Sequence, residues 1–140
     1  MNLMEMVLAL LAVMLFTTLS LSYNQAIWRQ TDYINNATIV VQASQICHSI
    51  LDEADAKLFS KQVDIANLVS TYNFIRTVNY PHLPETFTVA AVSADCDSLG
   101  NNLSTPNPNS LFKRVVVTVS GPVALRHPYS MTRLYTKTNM

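Results

Sequence analysis

The chain has 140 residues, enough for one ordinary domain. Only 13% of them are charged and the formal net charge is zero, which excludes a nucleic-acid binder driven by bulk electrostatics. Nearly half are hydrophobic, at 49%, and their concentration at the N-terminus decides how the chain is organised.

The first segment, MNLMEMVLALLAVMLFTTLSLS, is apolar on every face. From Met6 to Trp28 there are 23 residues without an Asp, Glu, Lys, Arg or His. At about 1.5 Å per residue, a helix of that length reaches roughly 35 Å, enough to cross the core of a bilayer. Glu5 stands at the head of this segment. A carboxylate there is costly to desolvate without a partner, which makes it a functional candidate. The formal positive charge nearest in sequence is the α-amino group of Met1.

No Pro or Gly occurs before Pro81, so the helix is expected to continue. Ala37, Val40, Val41, Ser44, Cys47, Leu51, Ala54 and Leu58 recur at three- and four-residue steps, the period of one helical face. Asn35, Gln42, Gln45, Asp52, Glu53 and Lys57 form the polar face. The pattern predicts one helix over about Asn2 to Phe59, roughly 85 Å long. Its first half is apolar all round and its second half amphipathic. The run Thr17–Ser22 is either a weak spot, where hydroxyls compete with the helix ladder, or an intact stretch whose hydroxyls bond back to the preceding turn.

Further along, Asp64 is placed to cap a short helix reaching Tyr72. Pro81 and Pro84 mark an extended connection. Thr86–Val92 reads as a strand and Asp95–Ser110 as a polar loop. Phe112–Ser120 is the clearest strand, with Val115, Val117 and Val119 on one face. Gly121-Pro122 marks a turn before a third strand, Met131–Lys137. The expected fold is α+β, a long N-terminal helix with a small antiparallel sheet packed on its C-terminal half. The division is 1–28 as an apolar helix half and 29–140 as a globular domain.

Cys47 and Cys96 lack any CxxC or Cys/His ligand spacing. Behind a membrane-targeted N-terminus they read as one disulfide stapling sheet to helix, against the alternative of two buried thiols. All nine acidic residues lie at or before Asp97, while Lys113, Arg114, Arg126, Arg133 and Lys137 follow it. The two parts carry about −5 and +5. Such a dipole suits head-to-tail packing of identical subunits, or else the two sets cancel within one subunit.

Catalysis finds no pattern here. His48, His82 and His127 are scattered, and no pair of carboxylates stands out as acid and base, so the chain is read as a non-enzyme without a cofactor. Asp95-Cys96-Asp97-Ser98-Leu99-Gly100 begins like a calcium loop, but Leu99 occupies a ligand position and the distant Glu is missing. Asn36-Ala37-Thr38 and Asn102-Leu103-Ser104 match the glycosylation triplet, the second in a loop expected to face outward. The basic C-terminal strands, repeated along a fibre, would offer a surface to DNA. Packing against the acidic helix face is the simpler use for them.

A glutamate at the fifth position, an apolar helix, and an amphipathic continuation under a small antiparallel sheet resemble a processed type IV pilin or type II secretion pseudopilin. The sequence-specific part of this likeness covers about the first 25 residues. The resemblance implies a chain that begins at its mature residue, with Met1 and Glu5 at the two assembly positions. In that family a dedicated prepilin peptidase removes a basic leader, the new N-terminus is methylated, and the glutamate pairs with a terminal amine in the growing filament. The chain departs from the family in starting with Met rather than Phe and in lacking a Gly and a Pro in its apolar half. The expected function is a structural subunit that moves from the inner membrane into an extracellular pilus with the help of assembly machinery. A pseudopilin and a single-pass anchor carrying a periplasmic binding domain are the alternatives.

Overall fold

With no Pro or Gly to interrupt it, a single helix, α1, runs from Leu3 to Phe59 in the computed structural model, which describes residues 2–81, 85–107 and 109–137. Its ladder is unbroken through Thr17–Ser22. The Thr17 hydroxyl donates to the Val13 and Met14 carbonyls, and that of Thr18 to Met14 and Leu15, each at 2.9 Å. The chain divides into two compact units, Met1–Ala37 and Thr38–Met140.

In the second unit the helix buries one stripe, Ile39, Ala43, Ile46, Cys47, Ile50, Leu51 and Ala54. These positions keep the three- and four-residue spacing of a single face. The helix stops in a Schellman motif. Lys61 takes the left-handed conformation (φ 56°), its N–H donates to the Leu58 carbonyl, and Gln62 N–H reaches back to Lys57. A lysine fills the place that glycine usually takes there.

A short 3-10 turn (Ile65–Asn67) follows, with the Asp64 side chain accepting the Ile65 N–H at 3.1 Å, and leads into one turn of helix, α2 (Leu68–Thr71). Four strands complete the unit: β1 (Phe74–Asn79), β2 (Thr86–Cys96), β3 (Phe112–Ser120) and β4 (Tyr129–Thr136). They form an antiparallel meander in the order β1-β2-β3-β4. The α+β fold expected from the sequence is therefore the one observed, with one strand more. β2 also extends past Val92 to Cys96. Met1, His82, Pro84 and Pro108, and residues 138–140, lie outside the described residues.

Strand alternation decides what the helix stripe meets. Phe87, Val89 and Ala91 of β2 and Val115, Val117 and Val119 of β3 are buried on the inner face. Burying a Val, Leu or Phe side chain is worth about 1.5–3 kcal/mol, so this contact supplies most of the unit's cohesion. Side chains tie it down: Tyr129 Oη donates to Ser44 Oγ (3.4 Å) and Tyr135 Oη to the Leu51 carbonyl (3.3 Å). The turn into β4 needs a glycine at Gly121 (φ 149°), where a Cβ would stand 2.5 Å from the Thr86 carbonyl oxygen.

At the other end the inner face closes on an ion pair. Lys113, 1% exposed, bonds the Asp95 carboxylate directly across the β2–β3 ladder. The second oxygen of Asp95 accepts the Asn107 N–H at 2.9 Å, and Lys113 also donates to the Asn107 carbonyl at 3.4 Å. The pair thus fastens the polar loop to the core.

The expected Cys47–Cys96 disulfide does not form, and both thiols are free and buried. Cys47 Sγ lies 3.6 Å from the Val117 carbonyl oxygen, whereas Cys96 pairs with Phe112. Those two β3 positions are five residues apart, about 17 Å along the strand. Cys96 also takes the opposite strand parity from Asp95, away from the inner row. A bridge needs Cα atoms within about 7 Å, so the register forbids it.

Two outcomes are expected. Lys113→Ala, which leaves Asp95 buried without its countercharge, should lower unfolding stability by about 3–5 kcal/mol in a denaturant titration. Burial pushes the Cys47 thiol from its ordinary 9.0 up to about 11. The folded chain thus holds a proton that the unfolded chain gives up. Its contribution to stability should be complete below pH 9 and decline as pH rises towards about 11. Denaturation midpoints measured across that range, wild type against Cys47→Ala, check the sign.

Candidate functional site

The site that the sequence singles out is the N-terminal unit. Its side chains are exposed all round, including Leu3 (79%), Phe16 (74%) and Trp28 (70%). The most apolar 18-residue window of α1 has a mean hydropathy of 2.1, and none of that window is buried. By length and composition α1 is able to cross a membrane. A surface of this kind, apolar on every face, needs a cover of lipid or protein.

Glu5 occupies the third position of the helix. Asn2 is the N-cap, its carbonyl accepting the Glu5 N–H at 2.9 Å and the Met6 N–H at 3.3 Å. The Glu5 carboxylate reaches back to accept the Asn2 N–H at 3.2 Å, one half of a capping box. A negative charge in the first turn also suits the helix dipole. The residue that looked unpaired in the sequence thus has a local partner in its own backbone. Met1, the other assembly position, lies outside the described residues.

The remaining sequence candidates are dispersed. Asp95 is held by Lys113. Asp97 closes its own turn, accepting the Leu99 and Asn101 N–H groups at 2.9 and 2.8 Å and the Asn101 side-chain amide at 3.1 Å. Those bonds, Asn101's first, hold its carboxyl below the usual carboxylate range. Among the described residues no cluster of three or more His, Cys, Asp or Glu could hold a metal. His48 and His127 are exposed and far apart in the chain, while Asn102 sits in an exposed loop.

The charge asymmetry cancels in part inside the second unit. Arg133 bonds both Asp52 (3.2 Å) and Asp55, Lys57 pairs with Glu53 (2.6 Å), and Arg76 lies 3.9 Å from Glu53. Basic β4 thus meets the acidic helix face, the simpler of the two readings. These pairs are partly exposed and individually worth little, about 0–1 kcal/mol each.

Sequence reasoning missed a groove of about 700 Å³ between the end of α1, the turn after it, and β4. Leu58, Phe59, Val63, Ile65 and Leu134 supply its apolar lining, with Lys61, Arg133 and Lys137 as its cations and Asp55 and Asp64 as its anions. Its one signal in the sequence was Phe59, a large apolar residue directly before a helix stop and 80% exposed in the fold.

Compared with known proteins, the chain matches no family model, no curated protein and no solved structure.

Proposed function

We propose that this chain is a structural subunit of a type IV pilus-like filament, parked in the inner membrane by its apolar helix and then assembled with copies of itself outside the cell. The observation that carries this reading is the bare apolar unit with a single carboxylate at its head, attached to a well-packed α+β unit. In lipid the apolar helix is surrounded by acyl chains, and in a filament it is surrounded by identical helices. Exchange between two apolar environments costs little. The carboxylate distinguishes them, because a second copy can offer it the terminal amine that the resemblance places at Met1. Their attraction in a low dielectric favours assembly and sets the axial register. The contact joins two different surfaces, so it propagates as a helical fibre instead of closing. Prepilin peptidase and an assembly platform are the implied partners. A pseudopilin of a secretion system would use the same physics in a shorter fibre.

One observation favours a second reading, a membrane-anchored binding module. The bond from Asn2 N–H gives Glu5 a purely structural task at the helix start. Glu5→Gln separates the two, because glutamine also serves as a capping-box partner but carries no charge. On the filament reading, Glu5→Gln subunits insert and fold normally while sheared filament yield falls about tenfold or more, the effect of losing roughly 1.4 kcal/mol per interface. Wild-type filament yield from that variant would overturn the Glu5 pairing, whereas a wild-type chain that yields no filaments at all would leave only the anchor.

A further inference from the structure

Lys61 and Lys137 line the groove beside β4 and form no ion pair among the described residues. Of the carboxylates that share the groove, Asp55 pairs with Arg133, and Asp64 accepts the Ile65 N–H. The groove therefore presents an apolar lining with an excess of positive charge, Lys61, Arg133 and Lys137 against Asp55 and Asp64. In the N-terminal unit the exposed Asp32 likewise has no ion-pair partner among the described residues. It lies one helical turn from Trp28, so an aromatic ring and a carboxylate stand side by side on one row of α1. Arg29 belongs to the neighbouring row with Tyr33.

We propose that the groove receives the Trp28–Asp32 row of a second copy, the indole against Phe59 and the carboxylate between Lys61 and Lys137. This rests on the filament reading and adds a second, lateral contact to the one at Glu5. The size suits the task, since a half-open groove of about 700 Å³ has room for an indole with its neighbouring carboxylate. The chemistry suits it too. Buried aromatics are the usual anchors of interfaces, and a charge pair around the anchor selects the partner and the register. Donor row and groove are different surfaces, so each copy offers one of each and the contact repeats without closing.

The test is a charge exchange in full-length chains, read as the yield of sheared filaments. Asp32→Lys alone, and Lys61→Glu with Lys137→Glu, should each reduce yield about tenfold, and combining all three should bring it back to within about twofold of wild type. Wild-type yield from the separate variants, or no recovery in the combination, overturns the proposal. Circular dichroism of the detergent-solubilised variants establishes that each is folded. A second measurement works without charge reversal. Copies carrying Asp32→Cys are co-expressed with copies carrying Lys61→Cys, in a Cys47→Ala, Cys96→Ala background, and oxidised within filaments. A disulfide-linked dimer supports the contact, and only monomer overturns it. If the wild-type chain forms no filaments, the parent reading fails and takes this one with it. Filaments that form but ignore these residues sink this contact alone.

Discussion

A helical surface that is apolar on every face and bare of its own protein is the constraint from which the other features follow. The residues from Leu3 to Trp28 cannot remain in water at reasonable cost. Each exposed Leu, Val or Phe forfeits about 1.5–3 kcal/mol relative to burial, and there are ten of them in this stretch. Whatever covers this surface is therefore bound far more strongly than any polar contact on the second unit could achieve. Function has to be argued from what the cover is, and on the proposed reading that cover is lipid and then copies of the same helix. A soluble partner would need to enclose it on all sides.

The second unit stands on a different footing. Its helix stripe and the inner rows of β2 and β3 satisfy one another, and Lys57, Arg76 and Arg133 pair with the acidic residues of the helix. Lys113 and Asp95 mark where that core ends. A buried pair of this kind contributes little net stability beside an apolar alternative, but a wrong strand register would leave each charge stranded at several kcal/mol. It therefore specifies the β2–β3 alignment and anchors the Asn107 loop, both of which an all-valine inner row would leave less determined.

Much of this was legible in the chain. The helix showed itself by the lack of Pro and Gly and by its three- and four-residue stripe. β3 showed itself by alternating valines, and β2 and β4 by short apolar runs between turn residues. β1 was not legible. Phe74–Asn79 is an edge strand with Ile75 and Arg76 both exposed, so neither its burial pattern nor its composition separates it from an extended connection leading to Pro81. The disulfide was misread for a reason that no sequence pattern contains. Whether two cysteines meet depends on the register between a helix and a strand, and here that register places Cys47 beneath Val117 and Cys96 at the far end of β2. The groove was invisible for a similar reason, because its lining comes from three segments brought together only by the fold.

On the proposed filament reading, the Glu5 side chain serves two states. Its bond to the Asn2 N–H satisfies a donor that the first turn of any helix leaves open, so the carboxylate has a partner even when no second copy is near. That local bond reduces the cost of holding a charge at the edge of an apolar environment. It does not neutralise the charge, and a carboxylate accepting one N–H keeps capacity for further donors. An amine from a neighbouring copy can therefore join without displacing Asn2. The capping box then aims the carboxylate and the incoming amine supplies the charge. On this view helix capping and assembly are successive uses of one geometry, and Gln at this position keeps one acceptor oxygen for the Asn2 N–H but carries no charge.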